Sequence, residues 1–381
     1  MKQHMRQRIS LLMLIFILLS GVISCASPER KSTLMSTNQT KTLYIAAGTK
    51  VYCVRETDGS FCWTHDFKEP VDQIYATSQN VFVQTTAPAL YALASKDGLL
   101  QWRHPLTDLL PSQLFVQGDL VFIGAYPTGF MALTAHNGAP RWQTSVPITS
   151  NSIGFIGSEG DSIYGYSDGT IYALRADDGH IQWKKEQPYT LGEDLLLMNG
   201  NLLIPDINGE KVIELRASTG AVGATFPGNQ VVSSQDFLFL SRTASQKRQT
   251  SQELYALHRS DQQELWKKTL NANEQIRFRK GMLGERYLYV VRIDRNMKTV
   301  LQAVDLKTGD NAWTWTPPSE RPDIDPFSVY YSNEHLYIST HNSSVPYPEN
   351  EKSLLQALDS QGGVRWKQAL NERILRVVLP V

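Results

Sequence analysis

A repeat of about forty residues runs through the chain from residue 42 to its end. Each copy begins with a short apolar and aromatic run, such as Leu43-Tyr44-Ile45 or Val81-Phe82-Val83. A turn and usually a tryptophan follow about twenty residues later. β-branched and aromatic runs that are separated by Asp-Gly, Asn-Gly and Thr-Gly turns indicate strands and hairpins, and this period is typical of β-propeller blades.

Two separate markers give the same number of copies. The apolar run occurs eight times, and so does the later segment that ends in a turn and a tryptophan. Five copies place a glycine four residues before the tryptophan and keep the same spacing from the apolar start of the segment, whereas three depart from this pattern. One has Ala224 in place of tryptophan, one has Gln262 in place of glycine, and one is a residue shorter before Gly362. The sequence therefore predicts an all-β fold, an eight-bladed propeller of four-stranded antiparallel blades.

The C-terminus carries one strand more than its own blade needs. Other copies have an innermost strand before the marker run, but only a polar segment precedes Leu43. After Trp366 the chain continues through the apolar run Ile374 to Leu379. We expect this C-terminal strand to join blade one and close the ring, which would also cover an exposed sheet edge.

The repeated tryptophans have a structural interpretation that needs no ligand. We expect each indole to lie between neighbouring blades, with the glycine turn supplying the positive φ that its hairpin requires. A cofactor or sugar platform is the alternative, but a ligand site would not recur around the whole ring. The predicted blade-docking residues are Trp63, Trp102, Trp142, Trp183, Trp266, Trp313 and Trp366.

The N-terminal residues resemble an export signal rather than part of the fold. Basic residues precede the apolar run Leu11 to Leu19, which is too short to span a bilayer as a mature helix. The run ends in Val22-Ile23-Ser24-Cys25, which resembles a bacterial lipobox and implies lipid attachment at Cys25. An ordinary secretory signal with an incidental cysteine is the alternative. The predicted organisation is a signal peptide at 1–24, a lipidated flexible tether at 25–41 and the propeller at 42–381.

Two further cysteines, Cys53 and Cys62, flank one predicted hairpin. If Thr57-Asp58 form its tip, residues 53 and 62 face each other on adjacent strands. An exported protein could oxidise them to a disulfide. The alternative is a pair of small buried residues with free thiols. A metal site is disfavoured because the pattern implies no third ligand.

Composition and motifs exclude several classes of function. Lysine plus arginine equals aspartate plus glutamate, 37 of each, so the global charge favours neither nucleic-acid binding nor a polybasic membrane surface. The chain contains no nucleophile elbow, phosphate loop or His-Glu-x-x-His motif. We therefore assign no catalytic, cofactor-binding or metal-binding residue and expect no cofactor.

Long connections indicate where a partner could bind. The second-to-third strand connections lengthen at residues 241–253, 291–300 and 339–354, and the connection between blades is long at 314–326. Residues 242–298 also hold thirteen lysines and arginines against six acidic residues. We predict a docking patch here for a protein or an anionic envelope partner, whereas the alternative is a solvated charge run. Its members are Arg242, Lys247, Arg248, Arg292, Arg295, Lys298, Trp315, Arg321 and Tyr347.

The repeat resembles that of the pyrroloquinoline-quinone-like β-propeller family. Tyr91-Ala92-Leu93, Asp97-Gly98 and Trp102 carry this resemblance, which extends over residues 42 to 381. The quinone-dependent dehydrogenases of the family use an adjacent pair of cysteines and calcium ligands, and this chain has no Cys-Cys pair. The layout is also similar to the lipid-anchored propeller of the bacterial outer-membrane barrel-assembly machinery, which implies a scaffold.

The functional hypothesis is a lipid-anchored, extracytoplasmic propeller that acts as a non-catalytic binding or assembly scaffold. We expect a monomer that is tethered to a bacterial membrane and binds no nucleic acid. A quinoprotein-type dehydrogenase, or another enzyme with its site at the ring centre, is the alternative.

Overall fold

The computed structural model describes residues 41–106, 110–149, 152–187, 195–206, 210–246, 249–271, 274–294, 296, 298–318, 329–341 and 353–380. Within these ranges the regular elements are thirty-two β-strands and one 3-10 helix, Lys280–Met282. No helix in the described part of the chain is long and apolar enough to cross a membrane.

The first four blades follow one another along the chain. Blade one contains β1 (Thr42–Ala47), β2 (Lys50–Arg55) and β3 (Phe61–Asp66). Blade two contains β4 (Val71–Ala76), β5 (Asn80–Thr85), β6 (Ala89–Ala94) and β7 (Leu100–Pro105). Blade three contains β8 (Leu110–Gln117), β9 (Leu120–Tyr126), β10 (Gly129–Thr134) and β11 (Pro140–Thr144). Blade four contains β12 (Ile153–Glu159), β13 (Ser162–Ser167), β14 (Thr170–Arg175) and β15 (Ile181–Glu186).

The remaining strands complete the ring. Blade five contains β16 (Leu196–Met198), β17 (Asn201–Asp206), β18 (Lys211–Arg216) and β19 (Val222–Pro227). Blade six contains β20 (Gln230–Ser233), β21 (Phe237–Gln246), β22 (Gln249–His258) and β23 (Glu264–Thr269). Blade seven contains β24 (Gln275–Arg277), β25 (Tyr287–Ile293), β26 (Thr299–Asp305) and β27 (Asn311–Trp315). Blade eight contains β28 (Val329–Ser332), β29 (His335–His341), β30 (Ser353–Leu358) and β31 (Val364–Leu370), and β32 (Ile374–Val378) ends the chain.

The strands form eight antiparallel sheets of four, which confirms the predicted eight-bladed propeller. In blades two to eight the strands pair in sequence order. The first strands of successive blades contact one another, as β4 does β8 and β12 does β16, so these strands line the centre of the ring. Apolar clusters fill the spaces between blades. One of them joins Phe82 and Trp102 of blade two to Leu114 of blade three.

The C-terminal strand closes the ring as predicted. β32 pairs antiparallel with β1, with Tyr44 opposite Val378 and Ala46 opposite Arg376. The chain just before β32 is also tied to blade one, because Glu372 accepts hydrogen bonds from Lys50 at 2.6 Å and from the Tyr52 hydroxyl at 2.7 Å. The two ends of the propeller sequence therefore lie in a single sheet.

Seven of the eight blades carry an indole that packs on the glycine turn of the next blade. Trp63 Nε1 donates a hydrogen bond to the Ser95 carbonyl at 2.8 Å, in the turn after β6. A Cβ atom built on Gly98 would lie only 2.6 Å from Trp63 Cε3. Gly98 also has a φ of +71°, which favours glycine. Glycine is therefore required at this turn both by its backbone and by the neighbouring indole.

The same contact occurs at seven of the eight interfaces in the described ring. In each, the indole nitrogen donates to a turn carbonyl of the next blade at 2.8 or 2.9 Å. The tryptophan and glycine pairs are Trp63 with Gly98, Trp102 with Gly138, Trp142 with Gly179, Trp183 with Gly220, Trp266 with Gly309, Trp313 with Gly362 and Trp366 with Gly59.

The interface between blades five and six lacks both halves of this contact. Ala224 stands at the tryptophan position of blade five, and Gln262 stands at the glycine position of blade six with a φ of +59°. Buried Phe226 packs in the apolar cluster that joins the two blades. Arg259 of blade six donates hydrogen bonds to the Met198 carbonyl of blade five at 3.1 Å and to Ser233 at 3.0 Å. The irregular repeats that carry Ala224 and Gln262 are therefore neighbours, and their two departures from the pattern lie at one altered interface.

A β-bulge before the tryptophan corrects the predicted pairing of the cysteines. Cys53 lies opposite Trp63 and Val54 lies opposite Phe61, so Cys62 is the extra residue of the bulge. Cys53 therefore does not face Cys62 directly. Burial raises the pKa of the Cys53 thiol well above its ordinary value, and the neighbouring Cys62 raises it further.

Candidate partner-binding sites

The antiparallel blades give the ring two faces with different connections. Turns from the first to the second strand and from the third to the fourth emerge on one face, which we call the lower face and which carries Asp119 and Lys307. Turns from the second to the third strand and the links between blades emerge on the upper face, which carries Lys298. Of the predicted docking patch, the described cations Arg242, Arg292 and Lys298 lie toward the upper face of blades six and seven.

Among the described residues of the upper face, positions 237–258 form a long hairpin instead of the predicted loop. β21 and β22 are ten residues each and pair continuously from Phe237 opposite His258 to Gln246 opposite Gln249. The expectation of an irregular connection over residues 241–253 was therefore wrong. The strands simply continue beyond the ring, because cross-strand pairs such as Arg242 with Glu253 support the extension.

Arg242 is held at the base of this hairpin. Its Nε lies 2.6 Å from Glu253 Oε2, and its guanidinium stacks over the Tyr255 ring at 5.1 Å from the centroid. Its side chain is 31% exposed, while that of Glu253 is 10% exposed. The arginine therefore neutralises a nearly buried carboxylate and leaves only part of its guanidinium to a partner.

Arg292 has a similar internal partner in blade seven. Its guanidinium donates to Glu274 Oε1 at 2.6 Å, and both groups line a cavity of about 290 Å³ between blades six and seven. Burial alone would raise the pKa of Glu274. Hydrogen bonds from Arg292 and Asn271 outweigh that effect and leave the pKa below its usual value.

The other patch residues fall into different environments. Lys298 is exposed in the turn between β25 and β26. Trp315 is only 9% exposed and packs in the core of blade seven, so its indole is not on the surface as an anchor. Five members lie outside the described residues: Lys247, Arg248, Arg295, Arg321 and Tyr347.

A cavity on the lower face, where sequence reasoning placed no site, is much larger than the one beside Arg292. It has a volume of about 1030 Å³ and is lined by the inner strands and turns of blades two to five. Tyr75, Phe115, Ile156 and Leu197 contribute apolar surface. A concave site with apolar walls and a few polar groups is the usual form of a ligand site.

Hydrogen bonds between neighbouring turns hold the polar edge of this cavity in place. Gln117 Nε2 donates to the Gly160 carbonyl at 3.1 Å, and the Gly200 amide donates to Glu159 Oε1 at 3.0 Å. Asp119 Oδ2 lies 3.2 Å from His136 Nδ1. These hydrogen bonds connect the turns of blades three, four and five. The carboxylates at this edge are therefore held by neighbouring turns.

The sequence contained a weak signal for this cavity. Gly118-Asp119 and Gly160-Asp161 are turn-forming pairs, and each follows an inner strand of its blade. No local motif indicates that turns about forty residues apart surround one space, because that depends on the curvature of the ring.

The cysteines of this chain are not arranged as the adjacent pair of the quinone-dependent dehydrogenases. The two propeller cysteines lie on β2 and β3 of blade one, and neither lines the lower-face cavity. Both are free thiols in the structure. No group of three or more His, Cys, Asp or Glu side chains that could hold a metal occurs among the residues described. The residues present therefore do not fit a quinone and calcium site built on adjacent cysteines.

Three overlapping segments of the chain match one family model. Residues 26–152, 110–224 and 223–372 match the family described as outer membrane protein assembly factor BamB. Together they cover nearly all of the propeller. No curated protein matches the sequence significantly.

Solved structures share the fold but little sequence. BamB from Moraxella catarrhalis is 14% identical, with a TM-score of 0.58 over 79% of this chain and 89% of that one. Quinohemoprotein alcohol dehydrogenase from Comamonas testosteroni is 13% identical, with a TM-score of 0.54 over 80% and 69%. The dihydro-heme d1 dehydrogenase NirN is 10% identical, with a TM-score of 0.65 over 89% and 75%. At such identities these similarities show the fold alone.

Proposed function

Because this chain belongs to the family described as outer membrane protein assembly factor BamB, we propose that it is a non-catalytic scaffold of the bacterial envelope. The observation that carries the proposal is the extent of the family match, which runs from residue 26 to residue 372. The scaffold holds a protein partner outside the cytoplasmic membrane. It is tethered by a lipid on Cys25.

The geometry of the ring supports this role. Seven indole contacts and the β1–β32 pairing fix the blades to one another. A closed ring of this kind presents its turns on a rigid frame, as binding surfaces require. The projecting hairpin of blade six gives the upper face a feature that a partner could recognise.

The lipid anchor is tested by exchanging its attachment residue. Cys25→Ser should move the protein from the membrane fraction to the soluble extracytoplasmic fraction, because one covalent lipid is removed while the propeller is untouched. Cys62→Ser is the matched control and should leave the protein on the membrane. Retention of the Cys25→Ser protein on the membrane would contradict the anchor.

The upper-face docking patch is tested by charge reversal at an exposed site. Lys298→Glu should reduce cross-linking of the partner in intact membranes, because it places a negative charge among cations that face the partner. Lys307→Glu changes an equally exposed lysine on the lower face of the same blade and should have no effect. Equal cross-linking by both variants would exclude the region around Lys298.

A quinoprotein-type dehydrogenase remains the alternative, because such enzymes share this fold. Reconstitution with pyrroloquinoline quinone and calcium separates the two functions. The scaffold proposal expects no alcohol or sugar oxidation above a buffer control, and turnover would overturn it.

A further inference from the structure

The lower-face cavity combines an aromatic wall with an anionic edge. Tyr75 and Phe115 meet edge to face, with ring centroids 6.1 Å apart, and both are only half-buried. Their exposed surfaces can pack against the aliphatic stem of a long side chain and attract a cation above the ring. Ile156 and Leu197 continue this wall across blades four and five.

Apart from His136, whose Nδ1 lies 3.2 Å from Asp119 Oδ2, the charged side chains at the edge are carboxylates. Asp119 and Glu159 both line the cavity and are exposed to solvent. None of the described residues that line it is a lysine or an arginine. An anionic ligand would therefore be repelled, whereas a cation would gain charge-assisted hydrogen bonds.

The cavity wall also contains an amide oxygen without a partner. Gln117 donates through Nε2 to the Gly160 carbonyl, but its buried Oε1 accepts no hydrogen bond. A buried acceptor without a donor is unfavourable. A small shift of the side chain would let a guanidinium or ammonium group satisfy it.

We propose that this cavity binds a lysine or arginine side chain, presented by an extended segment of a partner protein. The aromatic wall takes the aliphatic stem, and Asp119 and Glu159 receive the charge. The volume of about 1030 Å³ also leaves room for neighbouring apolar residues of the segment. This site extends the scaffold role to the lower face, away from the Lys298 region.

Peptide titration tests the proposal separately from the scaffold function. Fluorescein-labelled Gly-Leu-Arg-Leu-Gly and Gly-Leu-Glu-Leu-Gly, with blocked termini, are titrated with the purified propeller near neutral pH. Fluorescence anisotropy should report binding of the arginine peptide, weakening as salt is added, and no binding of the glutamate peptide. Failure here would leave the membrane cross-linking result at Lys298 untouched, because that experiment reports on the upper face.

Two acidic residues in equivalent turns provide a matched pair. Asp119 follows Gly118 and lines the cavity, whereas Asp161 follows Gly160 and does not. Asp119→Lys should reduce the affinity for the arginine peptide by about tenfold or more, which is the loss expected for one charge-assisted hydrogen bond. Asp161→Lys should leave affinity within about twofold, since an exposed charge that does not line the cavity is screened by solvent and salt.

A second variant reaches the cavity from another blade. Ser78→Trp, on an exposed turn of blade two, should fill part of the space and also abolish binding while the melting temperature stays unchanged. Equal weakening by Asp119→Lys and Asp161→Lys would mean general attraction and overturn the site. Tighter binding of the glutamate peptide, or displacement of the arginine peptide by a neutral oligosaccharide, would overturn its ligand class.

Discussion

Restoring the missing contact between blades five and six should stabilise the ring in a strongly non-additive way. In Ala224→Trp alone, the new indole would meet the Cβ of Gln262. At the seven other interfaces, a Cβ at the glycine position would come within 2.5 to 2.9 Å of the indole. We therefore expect the single substitution to lower the free energy of unfolding by about 1 to 3 kcal/mol through overpacking.

The companion change removes that obstacle. Gln262→Gly relieves a non-glycine residue held at a φ of +59°, a gain of about 1 kcal/mol that the greater entropy of unfolded glycine largely offsets. In the double variant the indole can lie on the turn and donate to the Arg259 carbonyl, as its counterparts do elsewhere. Since a buried tryptophan contributes about 3 to 5 kcal/mol over alanine, and Phe226 already fills part of this interface, we expect a coupling of at least about 2 kcal/mol.

Equilibrium unfolding in urea of the four proteins in this cycle measures the coupling. The control is a double-mutant cycle at an existing contact, the one between Trp183 and Gly220. Gly220→Ala should lower the free energy of unfolding strongly in the parent protein, but much less when Trp183→Ala has removed the indole. Additivity of Ala224→Trp and Gln262→Gly within about 0.5 kcal/mol would refute the idea that these positions are two halves of one contact.

Three further outcomes are expected. Deleting residues 373–381 removes β32 and should abolish cooperative unfolding, because blade one loses its inner strand; a melt like that of the full-length protein would contradict the closure. Burial raises the pKa of Glu56, despite hydrogen bonds from Asn333, so the folded protein binds this proton more readily than the unfolded chain. The free energy of unfolding should therefore fall as pH rises from about 4.3, the unfolded value, through the folded pKa; Glu56→Gln should flatten that dependence, and an unchanged slope in urea midpoints would disprove the assignment. Mild oxidation should bridge Cys53 and Cys62 within one chain because their thiols are in contact, and non-reducing peptide mapping that finds both free would exclude the bridge.

Much of the fold followed from local features. Strand positions were predictable because alternating apolar runs and glycine turns act over a few residues. The ring closure was predictable for another reason, because the C-terminus carries one strand more than its own blade needs. The docking patch shows the limit of such reasoning. Arg242 and Arg292 look like free surface cations in the sequence, but in the structure each is paired with a carboxylate at least ten residues away in the chain. Trp315 looked like an anchor and is part of the core.

The bulge and the irregular repeats also show what local sequence patterns fail to predict. A simple hairpin count pairs residue 53 with residue 62, but the extra residue before the tryptophan moves the pairing to Trp63. Ala224 and Gln262 read as two separate losses, although they meet across one interface.

The sequence alone determined how many blades form and where their strands lie, because both depend on interactions between residues close together in the chain. Only the tertiary structure decided which indole packs on which glycine and which arginines are paired with carboxylates. It also decided that turns of four blades enclose one cavity. These features join residues about forty or more positions apart, and no local pattern encodes the curvature that brings them together.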